Sequence, residues 1–155
     1  QMALTKVIGD GLAASGLPAG SVLQIIYAST TVEVASSSAT FADTGLTAAI
    51  TPSATSSKIL IIYAVEHFMT ANTANGHLKV VRDSTDLVTH GNVGYAGSST
   101  VMSASSFQHL DSPSSTSAIT YKIQFNRINA GTVNVQYDDA GGDGFSTMVL
   151  MEIAG

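Results

Sequence analysis

Residues 58–69 read KILIIYAVEHFM, between SATSS at 53–57 and TANTANG at 70–76. A β-branched, apolar run bounded by Ser, Thr, Asn and Gly has the character of a strand. From Ile59 to Val65 it is apolar on both alternating faces, and Met148-Val149-Leu150-Met151 repeats the pattern near the other end of the chain. A strand in a two-layer sandwich needs only one dry face. The second face is therefore expected to meet another subunit or another part of the chain. Leu60, Ile62 and Tyr63 are the expected oligomer interface, the alternation leaving open whether Leu60 and Ile62 or Ile61 and Tyr63 point outward.

Outward from this run the same punctuation recurs. β-rich stretches at 22–34, 40–41, 46–51, 77–82, 86–90, 101–110, 118–126, 132–137 and 146–153 are divided by Gly, Ser, Asn and Asp. That is about eight to ten strands, as in a sandwich or barrel. Tyr121, Ile123 and Phe125 alternate with polar residues, as do Val133, Val135 and Tyr137, which predicts two half-wet strands joined as a hairpin by residues 127–131. A second hairpin turn is expected at 82–86, around Asp83 and Ser84.

At 155 residues the chain is one ordinary domain, and only 11% of it is charged, against about 25% in a typical soluble protein. Coiled coils and helical bundles need more Glu, Lys and Arg on their wet faces, so both are excluded. The net charge of -5 is small for the length, which argues against disorder. The six basic residues are scattered and form no phosphate-tracking patch, so nucleic acid is not an expected partner. There is no cysteine, and no run approaches the ~20 apolar residues that span a bilayer, so membrane insertion is not expected either. Met2-Ala3 reads as a start without a secretion signal, which implies synthesis in a cytoplasm.

Residues 1–20 differ from the rest, with Leu4, Val7, Ile8, Leu12 and Leu17 spaced irregularly among glycines. The segment is too apolar for a solvated tail and too rich in glycine for a stable helix. It is expected to be an extended docking arm, ahead of a β-sandwich domain over residues 21–155.

Catalytic signatures are missing. There is no Gly-x-Ser-x-Gly elbow, and Gly9, Gly11 and Gly16 do not have dinucleotide-loop spacing. His67, His77, His90 and His109 lack ligand spacing. Asp138, Asp139 and Asp143 offer oxygens in a glycine-rich turn without the order of a calcium loop. A non-enzymatic protein with no cofactor and no metal is expected. Asn72 and Asn75 in one loop, with Asn92 and Tyr95 in another, combine amides with an aromatic ring, the pairing that sugar sites use. These four are the candidate receptor loops.

Residues 17–58, LPAGSVLQIIYASTTVEVASSSATFADTGLTAAITPSATSSK, resemble a module of virion proteins of tailed bacteriophages, marine phages in particular. The resemblance is carried by Gly20-Ser21-Val22-Leu23-Gln24, by Phe41-x-Asp43-Thr44-Gly45-Leu46, by Ile50-Thr51-Pro52 and by Ser56-Ser57-Lys58-Ile59-Leu60. The closing Met151-Glu152-Ile153 also matches. It implies a jelly-roll-like antiparallel β-sandwich that assembles as a homotrimer. The implied role is an exposed fibre-tip or capsid-decoration protein on the virion surface. Its arm would dock on other virion proteins of the capsid or tail, and its loops could meet a host-surface glycan. The competing expectation is a carbohydrate-binding module unconnected with virions.

Overall fold

The computed structural model describes residues 17–70, 74–91, 93–137 and 144–155. Leu4, Val7, Ile8, Leu12, Asn72, Asn92 and the three aspartates of the 138–143 turn lie outside them. Among the described residues every regular element is a strand: β1 (Val22–Thr30), β2 (Val34–Ser36), β3 (Ala42–Ile50), β4 (Lys58–Met69), β5 (Ala74–Arg82), β6 (Thr85–His90), β7 (Tyr95–Ala96), β8 (Val101–Asp111), β9 (Ile119–Arg127), β10 (Val133–Val135) and β11 (Ser146–Ile153).

All pairings are antiparallel and fall into two sheets. β8 occupies one edge of β4 from Ile59 to Met69. A strand has only two edges, so β11, opposite residues 58–64, and β10, opposite residues 67–69, must lie in line on the other. β1 and β2 continue outward in the same way, on β11 and β10 respectively. The first sheet thus has four rows: β1/β2, β10/β11, β4 and β8. In the second, β9 takes one edge of β5 and β6 and β7 share the other, giving β3, β9, β5 and β6/β7. The chain alternates between the sheets as a jelly roll does, eight rows wound into a two-layer sandwich.

The break between β10 and β11 has a local cause. Gln136 leaves β10 with φ at 51°, and the Gly144 amide donates back to the Tyr137 carbonyl at 3.0 Å. A Cβ on Gly144 would stand 2.5 Å from the Gln136 carbonyl carbon, so only glycine closes this neck.

Both sheets turn their odd or even side chains inward with period two. Ile59, Ile61, Tyr63 and Val65 of β4, with Met148 and Leu150 of β11, meet Leu46, Ile50, Leu78, Val80, Tyr121, Ile123 and Phe125 of the facing sheet. Across one end, Arg82 donates to both Asp111 oxygens at 3.0 and 2.8 Å, and the Tyr121 hydroxyl donates to Asp111 at 2.7 Å. That network ties β5, β8 and β9 together.

Two sequence expectations change. β5 and β6 do form the hairpin around Asp83 and Ser84, with Arg82 opposite Thr85 and Asp83 at a φ of 52°. Residues 127–131 do not form one: β9 pairs with β3 and β5, and β10 with β4 and β2. The segment crosses between sheets. β10 is also not half-wet, because Asn134 is buried beside Val133 and Val135.

Candidate interaction surface

The outer faces of the two sheets differ in chemistry. On the β3-β9-β5-β6 sheet the outward side chains are mostly polar, Val81 opposite Lys122 being an apolar exception, and the charged ones are paired. Lys79 bridges to Asp86 and Lys122 to Asp43, each at 3.0 Å, and Gln124 donates to Asp43 at 2.6 Å. Burial opposes ionisation of Asp43, but hydrogen bonds from Gln124 and Lys122 and the charges of Lys122 and Lys79 outweigh it and hold its pKa low. This is the ordinary wet face of an antiparallel sheet.

The outer face of the β1-β11-β4-β8 sheet carries two largely apolar rows. Residues directly opposite in antiparallel strands share a face, so the register reads off rows. Ile25, Met151, Leu60 and Leu110 form one row, and Tyr27, Val149 and Ile62 form most of the next. Val22 and Ile153 extend the face at one end. Among the described residues, five of the eight exposed large apolar side chains, Val22, Ile25, Tyr27, Met102 and Leu110, belong to this one sheet, so the exposure is concentrated rather than scattered. A row of small side chains, Ser29, Thr147, Ala64 and Ser106, separates it from Phe68, which stacks on Tyr137 at 4.1 Å.

The expected interface residues therefore divide. Leu60 and Ile62 are half-buried on the outer face, and no described segment covers them. Tyr63 is corrected: it points into the core, 1% exposed, sharing a 2.5 Å hydrogen bond with His90 Nδ1. Neighbours along a strand face opposite ways, so Tyr63 cannot join Ile62 on one surface. Burial pushes the Tyr63 hydroxyl well above its usual pKa and keeps it protonated.

Leu17, the last large apolar residue of the expected arm, is half-buried by a hollow that Leu23, Ala54 and Ala154 also line. The Gly20 amide donates to the Ala154 carbonyl at 2.7 Å, so the chain enters beside the Val22 and Ile153 end of the apolar face. Of the candidate receptor residues, Asn75 and Tyr95 are brought directly opposite each other by β5 and β7, Tyr95 59% exposed. Asn75 Oδ1 accepts from the Gly76 amide at 2.7 Å.

Several polar groups have structural duties that sequence reading missed. Glu152 is buried and accepts from Gln24, from the Ser53 amide and hydroxyl and from the Ser57 hydroxyl, at 2.6 to 2.7 Å. Ser53 and Ser57 flank the turn before β4, which is why a carboxylate is tolerated inside. His67 is fully buried, and its Nε2 has no partner. Among the described residues no three His, Asp or Glu side chains converge, and no helix is long and apolar enough to cross a membrane.

No protein-family model matches the chain, and no curated protein is similar to it. Two solved structures of infectious bursal disease virus, of the Gx and Gt strains, are similar to it at 12% identity and a TM-score of 0.47 each. They cover 96% of this chain, which spans 42% and 43% of theirs.

Proposed function

We propose that this protein is a non-enzymatic structural component of a phage virion, a homotrimer displayed on the particle surface as a fibre tip or a capsid decoration. The observation that carries the assembly part is the contrast between the two sheets: one presents paired charges to water, the other rows of Ile, Leu, Val, Met and Tyr. Burying such a face between copies gives roughly 1.5–3 kcal/mol for each large side chain taken fully out of water, enough in aggregate for a permanent oligomer. The virion assignment is supported by the phage-module resemblance of residues 17–58 and 151–153. In this reading residues 1–20 dock the domain on a capsid or tail protein. Reconstruction of a particle carrying the protein is the test. Density for the sandwich in threes on tail or capsid is expected, and its absence from the particle would overturn the virion assignment.

A second reading, glycan binding, is favoured by the exposed Tyr95 ring directly opposite Asn75. An aromatic face beside an amide suits a sugar ring. It is compatible with receptor attachment by a fibre tip, and equally with a carbohydrate-binding module outside any virion. Glycan-array binding that Tyr95→Ala abolishes is its expected result.

A further inference from the structure

Sheet edges that carry free backbone donors and acceptors invite pairing with other chains, and proteins usually blunt them with charges, bulges, prolines or short strands. Three edges of this sandwich are blunted. The β1/β2 edge has a register shift between Val22 and Gln24 and breaks between Thr30 and Val34. β3 is interrupted between Asp43 and Thr47, around Gly45 at a φ of 82°. β6 carries Asp86, faces a shift between Val80 and Val81, and is cut off from β7.

The fourth edge, β8, has none of these devices. It makes eleven consecutive pairs with β4 without a shift. Residues 101–110, VMSASSFQHL, contain no Lys, Arg, Asp, Glu or Pro, and Asp111 at the end is held by Arg82 and Tyr121. Among the described residues β8 pairs with β4 alone.

We infer that the free edge of β8 pairs antiparallel with β8 of a second copy, about a two-fold axis at Ser106. The strand's own sequence selects this occupant. About that axis Met102 stands opposite Leu110 of the second copy twice over, Ala104 stands opposite Gln108, and Ser106 meets itself. No like charges are opposed, and Ser103, Ala104, Ser105 and Ser106 keep the centre clear of bulk. The apolar rows that end at Leu110 and Met102 continue into the second copy. At about 3.4 Å per residue the edge is about 37 Å long, and at about 10 Å deep it offers on the order of 400 Å² per copy. That is about half of what each partner contributes to a standard stable interface. The pairing is accordingly weak and reversible in solution, and it becomes populated where a particle holds copies close together. It is independent of the trimer, and a two-fold added to a three-fold would generate larger symmetric assemblies.

Sedimentation of the full chain from micromolar to millimolar concentration tests it. The expected result is a reversible doubling of the base species, whatever its mass. Ser106 is exposed, so Ser106→Lys and Ser106→Glu should keep the fold by circular dichroism. Each alone should weaken doubling severalfold through like charges placed opposite each other. An equimolar mixture of the two should restore it. No doubling of the unaltered chain at any concentration, doubling by either variant as strong as the unaltered chain's, or no recovery in the mixture would each overturn the inference. Failure of the trimer reading shows separately, as a base mass of 15.9 kDa.

Discussion

Glu152 and His67 are both buried, yet the chain treats them oppositely. Burial raises the Glu152 pKa, but the hydrogen bonds from Ser53, Gln24 and Ser57 more than offset this and leave it below the usual carboxylate value. A depressed folded pKa contributes stability that is present above the unfolded value, about 4.3, and is lost as pH falls through the folded one. Glu152→Ala strands the Ser53 amide and Ser57 hydroxyl and should cost about 2–3 kcal/mol in urea unfolding at pH 7. His67 is less well served: its Nδ1 has a 3.3 Å hydrogen bond with the Val65 carbonyl but its Nε2 has no partner, and burial lowers its pKa despite opposing contributions from the Val65 and Val93 backbone and Glu66. Below about pH 6.5 the unfolded chain takes up a proton that the buried ring resists, so stability falls as pH drops. His90, lowered by burial and by His109, adds the same sign. His67→Leu should therefore reduce, without abolishing, the stability difference between pH 7.5 and 5.5. An unchanged difference would mean that His67 is not its source.

β4 shows what a strand's sequence can and cannot disclose. Its existence and limits were legible, because the turn residues at 53–57 and 70–76 bracket a run of β-branched side chains. Which face was dry was not, because Leu60 and Ile62 are as apolar as Ile59 and Ile61, and the period-two signal vanishes. Tyr63 was misplaced for this reason. The half-wet alternation of β9 was readable, but its partners were not: local alternation names a strand without naming its neighbour, and the true partners of β9 lie far away in sequence on β3 and β5. Nor did anything local show that Asn75 and Tyr95 are opposed, since β7 is only two residues long. The resolved faces now separate two substitutions that look alike in sequence. Ile62→Asp should leave the monomer folded and disrupt assembly, whereas Ile61→Asp, in the core, should cost more than about 4 kcal/mol and unfold the subunit. Circular dichroism and light scattering on the two variants read fold and assembly in parallel.

The molecule as a whole is a jelly roll with one wet sheet and one apolar sheet, entered at a corner of the apolar face by its N-terminal segment. The virion reading assigns that segment to docking and the apolar face to self-assembly. Removing residues 1–16 should leave the sandwich folded and trimeric but prevent its incorporation into particles. Normal incorporation of the truncated protein would end the docking assignment. The assembly surface is tested most directly by the mass of the full chain in solution, measured by multi-angle light scattering at micromolar concentration beside Ile62→Asp. Three subunits of 15.9 kDa, falling to one in the folded variant, is the predicted result. A folded, unaltered chain that scatters as a monomer would contradict it.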